Sequence, residues 1–155
     1  MSPPQETSEQ RMDLAIKIAE VGISLGQSPF GAAIFDDRGT PIAITHNVVK
    51  SNTDPSAHAE VIAIRTACAK LGQANLRGYQ LVSTCEPCPM CAATIVFSGI
   101  RSIVFGASVE DAKKAGFDEL QLASKLIFDE ASEPIEVYGG VQIERCVRLF
   151  KQSRR

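Results

Sequence analysis

The chain contains no tryptophan, only two histidines and few aromatic residues, 6% of its 155. Its 16 basic and 18 acidic side chains nearly cancel, leaving a net charge of −2. That balance makes no demand for nucleic acid, since proteins that track RNA need a positive groove. No stretch approaches the ~18 consecutive apolar residues of a membrane span. The first ten residues, MSPPQETSEQ, lack the basic and apolar regions of a secretory signal, so the protein is expected in the cytoplasm. There are no internal repeats, and one domain is expected over 1–155, a length that buries roughly two-thirds of the unfolded surface. The five cysteines are odd in number, and three fall within TCEPCPMC, residues 84–91. In a reducing compartment this argues against a disulfide framework and leaves metal ligation or buried thiols.

What is present alternates between helix and strand signals. Residues 1–6, polar and with two prolines, are expected to be disordered. Thr7 and Gln10 read as a capping box for a first helix with the stripe Leu14, Ile18, Val21 and Leu25, ended by Gly26. The apolar run Phe30 to Phe35, the turn DDRGT and the run Pro41 to Thr45 read as a β-hairpin. Asp54 and Pro55 look like the N-cap and first residue of a second helix, with Val61, Ile64, Cys68 and Leu71 buried and Gly72 closing it. Strands are expected at Gly78 to Ser83, Ser102 to Phe105 and Ile135 to Tyr138, and a helix at Pro89 to Phe97. Val109 to Leu126 contains helical pieces, and Val141, Cys146, Leu149 and Phe150 mark a C-terminal amphipathic helix. The alternation implies an α/β layered fold, its sheet largely parallel after the opening hairpin.

Cys88 and Cys91 lie three residues apart, on one face of a helix and about one turn from each other. With Pro89 set for a first turn, both sulfurs sit where the unsatisfied N–H groups and the positive end of the helix dipole favour thiolates. His58, near the start of its own helix, is the natural third ligand. Two thiolates and one imidazole leave the fourth position of a zinc ion open for water, as in catalytic centres. His58 and Glu60, two residues apart, point roughly 200° away from each other on a regular helix, so a shared target must lie off the helix end. The starts of the two helices are therefore expected to face each other across the metal. Each element has a plainer reading: Cys-x-x-Cys alone also fits a redox pair or two core thiols, and one histidine alone fits a structural role. Cys68 and Cys146 fall on apolar stripes and read as buried small hydrophobes. Cys85, at a strand end, reads as packing, because zinc already has three ligands.

A zinc ion with three protein ligands lowers the pKa of its water enough to supply hydroxide near neutral pH. A neighbouring carboxylate that is not a ligand can take a proton, pass it to a ring nitrogen and later protonate a leaving amine. Glu60 has that type and placement, while Glu86, between two motif positions, looks structural. Acting on an amino-substituted aromatic heterocycle, these groups would carry out hydrolytic deamination to a ring carbonyl and ammonia. His-x-Glu followed by Pro-Cys-x-x-Cys is the signature of zinc-dependent nucleobase deaminases.

With HAE at 58–60 and PCPMC at 87–91, the chain resembles the cytidine and deoxycytidylate deaminase superfamily, from PFGAAIF to the last helix. The resemblance implies a three-layer α/β/α sandwich around a five-stranded mixed sheet, one catalytic zinc and a homodimer or higher homo-oligomer. SNTDPSAHAEVIAIRTAC, CEPCPMC and AGFDEL look like bacterial guanine deaminase and its relatives. That similarity implies that Asn47 hydrogen-bonds the base, Phe30 walls or stacks it, the N–H of Ala59 meets its carbonyl and Asp118 reads its edge. Phe30 also fits the core, Asn47 a turn, and Glu119 stands beside Asp118. The tail EVYGGVQIERCVRLFKQSRR resembles the tRNA adenosine deaminases instead, so a tRNA wobble adenosine, or cytosine, stays open beside guanine. Arg145, Arg148, Lys151, Arg154 and Arg155 are the only basic cluster and also read as a solvated helix face. His46 is assigned no role. A zinc-holding scaffold without catalysis is the alternative from another class, and the presence of Glu60 speaks against it.

Overall fold

The computed structural model describes residues 5–117 and 120–153. Five strands, β1 (Gly31–Phe35), β2 (Pro41–His46), β3 (Gln80–Cys85), β4 (Ser102–Ala107) and β5 (Glu136–Tyr138), form one sheet in the order β2-β1-β3-β4-β5. β1 is antiparallel to both β2 and β3, whereas β3, β4 and β5 run parallel. The sheet is thus mixed. β1 and β3 are buried along their whole lengths, as central strands covered on both faces must be, while the edge strands β2 and β5 are partly exposed.

The helices are α1 (Gln5–Ser24), α2 (Val49–Asn52), α3 (Ala59–Leu71), α4 (Pro89–Ser98), α5 (Val109–Lys114), α6 (Ser124–Phe128) and α7 (Ile143–Gln152). Register fixes the layers. Gly31, Ala33 and Phe35 share a face with Val82 and, across β4, with Gly106. A Cβ on Gly31 would point at α1, and one on Gly106 at Cys146 of α7. Thr45, paired with Ala32 on the opposite face, donates its hydroxyl to the Ala59 carbonyl at the start of α3. So α1 and α7 cover one side of the sheet, and α3 with its neighbour α4 covers the other. No helix among the described residues is long and apolar enough to cross a membrane.

The first helix differs from the sequence expectation in both start and face. The helix runs from Gln5, so Thr7 lies inside it instead of capping it; residues 1–4 of the segment expected to be disordered lie outside the described residues. Its buried face is Met12, Ala15, Ile16 and Ala19, while Leu14 and Ile18 are half-buried, Val21 is exposed and Leu25 is 65% exposed. Ala15 and Ala19 occupy the part of this face closest to the sheet, where a Cβ on Gly31 would fall 2.2 Å from the Ala15 carbonyl oxygen. Val21 and Leu25 are rotated outward, while Met12 and Ile16 fill the core beside the alanines.

α3 begins at Ala59, later than the Asp54-Pro55 signal. Asp54 Oδ1 accepts from the N–H and hydroxyl of Ser56 at 2.9 and 2.7 Å, a local turn that uses the same chemistry as an N-cap without starting a helix. Gly72 closes α3 as expected, at φ 68. β3 and β4 both run further than expected, to Cys85 and Ala107, toward the end of the sheet where α3 and α4 begin. Between Val109 and Leu126 the helical pieces are α5, capped by the reciprocal pair Ser108 and Asp111, and the start of α6. Cys146 is fully buried beneath Gly106, and burial pushes its thiol up to about 12.

Because the α1–β1 approach leaves no room for a side chain, Gly31→Ala is expected to cost about 1–3 kcal/mol by overpacking. Urea unfolding should show a lower midpoint at unchanged slope, and an unaltered midpoint would mean that α1 does not seat on Gly31.

Candidate metal centre and active site

His58 and Cys88 occupy the same structural position, the N-cap of α3 and of α4, both with extended backbone. A residue in that conformation aims its side chain past the helix start instead of along its flank, and Pro89 at N1 pre-sets the turn that follows Cys88. Cys91 sits within the first turn of α4. The two starts face each other: His58 Nδ1 lies 3.6 Å from Cys88 Sγ and 3.6 Å from Cys91 Sγ. A tetrahedral zinc with Zn–S about 2.3 Å and Zn–N about 2.05 Å would hold sulfur and nitrogen about 3.6 Å apart. The three donors therefore fit zinc, and His58, Cys88 and Cys91 are positioned as its possible ligands.

The electrostatics of the triad favour the ligand form. The Cys88 thiol is held down to about 4, chiefly because Cys91 donates to it; burial opposes this, and His58 and the Cys91 backbone N–H assist. At neutral pH it is a thiolate. Val61 and Met90 pack around the sulfurs and keep their surroundings apolar. Cys85 stands outside this group; it is buried, and its thiol points at the Ser108 carbonyl at 3.9 Å.

Phe30, Asn47, His58, Glu60, Cys85, Glu86 and Cys88 line one small pocket. A larger hollow of about 390 Å³ lies along Arg11, Tyr79 and Arg101, away from any group of metal-type donors among the described residues. Glu60, in the first turn of α3, is 6% exposed. Asn47 is held firmly: its N–H donates to the Phe30 carbonyl at 3.0 Å, its carbonyl meets His46 Nδ1 at 2.8 Å, and its Oδ1 accepts from the Val49 N–H at 3.0 Å. An N–H can bond only to an acceptor, so the last contact fixes the amide and turns Nδ2, a donor, the other way. Ala59, the first residue of α3, is fully buried, and its N–H belongs to the set that no helical turn satisfies.

Phe30 is both core and pocket wall. Its ring meets Phe117 edge-on at 5.6 Å and Phe150 of α7 at 5.9 Å, and those two lie 5.4 Å apart. In the sequence Phe150 marks the apolar stripe of the C-terminal amphipathic helix with no link to the pocket, and Phe117 has no part. Asp118 and Glu119 lie outside the described residues, as do Arg154 and Arg155. The two oxygens of Glu86 are taken up by three donors: Val109 N–H at 3.0 Å to one, and Ser124 N–H and hydroxyl, both at 2.8 Å, to the other. Of the two pocket glutamates, Glu86 is thus committed to structure.

Comparison with known proteins agrees with this geometry. Residues 5–107 match the cytidine and deoxycytidylate deaminase zinc-binding region, and the chain belongs to that family. It is 41% identical over 123 residues to a guanine deaminase of Bacillus subtilis, covering 79% of this chain and 75% of that protein. It is 34% identical over 158 residues to a tRNA-specific adenosine deaminase of Haemophilus influenzae, covering 97% and 86%. A solved guanine deaminase from Nitrosomonas europaea superposes with TM-score 0.86 at 29% identity, over 99% of this chain and 85% of that one. The protein is a deaminase of the zinc-dependent kind, acting on a nucleobase or nucleotide.

The donor set makes a direct expectation. Purified protein should carry about one zinc per chain, and Cys88→Ala, which removes one of two thiolates, should carry far less by elemental analysis. Full retention in the variant would place the metal elsewhere.

Proposed function

We propose that the chain deaminates a free purine base, guanine, to its oxo product and ammonia, with zinc held by His58, Cys88 and Cys91. The observation that carries this reading is the fixed amide of Asn47, which offers a donor in the same small pocket that holds Glu60 and the ligand triad. Zinc, when bound, supplies hydroxide near neutral pH. Glu60 would take one proton from the attacking water and deliver it to the ring nitrogen beside the reacting carbon, then take the second proton from the newly added hydroxyl and pass it to the amine, so that the C–N bond breaks as the ring carbonyl forms and ammonia leaves. Asn47 Nδ2 donates to an acceptor on the base, Phe30 walls its face, and the Ala59 N–H meets its carbonyl oxygen. Asp118 is the residue to read the guanine edge.

Support for a base over an RNA comes from the terminal helix. The Arg145 guanidinium is paired with Asp13 and Gln142, which leaves Arg148 and Lys151 as the exposed cations of α7 among the described residues. The near full-length likeness to a tRNA-specific deaminase keeps the wobble adenosine as the second reading. We further read the chain as one deaminase domain, cytoplasmic and homodimeric. Phe97, near the end of the metal-bearing helix α4, is 86% exposed, and Leu126 of the adjoining α6 is exposed too. Two such patches would be covered by a second copy.

Ammonia release by the zinc-loaded protein across guanine, adenine, cytosine, their nucleosides and a tRNA anticodon stem-loop tests the reading. Guanine should be turned over, and Glu60→Gln should keep its zinc yet lose about 10²–10⁴-fold in rate. Turnover of the stem-loop alone would replace guanine by the RNA reading. Silence on all substrates with zinc bound would favour a scaffold, and full activity in Glu60→Gln would reject the proton shuttle.

A further inference from the structure

Glu86 stands where three pieces of the site meet. It follows the last residue of β3 and precedes Pro87 and Cys88, and its N–H donates to the Ala107 carbonyl at 2.7 Å, which prolongs the β3–β4 contact beyond the strands. One carboxylate oxygen accepts from the first N–H of α5, Val109. The other accepts from both the N–H and the hydroxyl of Ser124, the first residue of α6. α6 has no side-chain cap of its own, because its N-cap residue is Ala123. Glu86 supplies that cap from 38 positions away in the chain, and its negative charge suits two helix starts at once.

These contacts bracket Phe117. That residue lies between α5 and α6, and its ring packs on Phe30, the pocket wall. The five residues of α6 are too few to hold a helix unaided. We infer that Glu86 is a positioning residue for substrate binding: its carboxylate pins the starts of α5 and α6, and so holds Phe117 against Phe30 beside the metal-bearing helix. The link to substrate rests on the deaminase pocket proposed above; the pinning itself does not.

The experiment pairs Glu86→Ala with Ser124→Ala and their double variant, in zinc-loaded protein. Amide hydrogen exchange read by mass spectrometry should speed up in Glu86→Ala over peptides covering 109–128 by about tenfold or more, with α3 and α4 unchanged and zinc retained. Unchanged exchange there would overturn the pinning, whatever the substrate proves to be. On any base that the protein turns over, KM should rise about tenfold with kcat within about twofold. Ser124→Ala should move KM the same way by less, and the double variant should add little to Glu86→Ala because both remove the same contact. Faster exchange with unaltered KM, or additive effects, would leave Glu86 a purely structural residue and overturn the inference. Glu86→Gln, which keeps one acceptor oxygen, should fall between wild type and Glu86→Ala, and it carries the same tests should the alanine variant not fold.

Discussion

Two helices, α3 and α4, aim their positive ends at one another across His58, Cys88 and Cys91. Unsatisfied N–H groups and like-signed helix ends would oppose that meeting unless negative charge lies between them. Thiolate supplies it, and the Cys88 thiol is further held low, chiefly by the hydrogen bond from Cys91, with His58 and the Cys91 N–H assisting. The arrangement is self-consistent: the dipoles favour ionised sulfur, ionised sulfur is the form that binds zinc, and zinc in turn relieves the crowding of charge. Glu60 follows from the same geometry, since one residue past the N-cap of α3 is followed by the first-turn position that faces the same pocket.

The sheet makes the meeting possible. β3 and β4 run parallel and end together at Cys85 and Ala107, so the chain leaves β3 directly into the metal turn. β1, inserted antiparallel between β2 and β3, brings Phe30 and Asn47 to that same end of the layer. Close packing on the other face serves this placement. Ala15 and Ala19 let α1 approach Gly31, and Gly106 receives Cys146, so the strands that present the site are held from behind by small residues in tight contact.

The metal triad was readable in the sequence because its parts are local: Cys88, Pro89 and Cys91 share one turn, and His58 and Glu60 another. Spacing alone gave the inference that the two helix starts must face each other. Features that depend on distant contacts were not readable. The part of the buried face of α1 closest to the sheet depends on how closely a helix can seat on a glycine, so Leu14 and Leu25 were misleading and Ala15 and Ala19 decisive there. Asp54-Pro55 had the chemistry of a helix start, yet Asp54 Oδ1 accepts from Ser56 within a turn, and α3 begins later, at Ala59 with His58 as its N-cap. The aromatic contact of Phe30 with Phe117 and Phe150 joins residues far apart in sequence, as does the grip of Glu86 on Ser124, and no periodicity reports either.

The central claim is that the two helix starts supply three ligands and leave a fourth position open. X-ray absorption at the zinc edge of the purified protein tests it most directly. Two sulfurs at about 2.3 Å and two nitrogen or oxygen neighbours at about 2.0–2.1 Å are expected, one from His58 and one from solvent. Three sulfurs would bring Cys85 into a closed, four-ligand site with no open position and contradict the account.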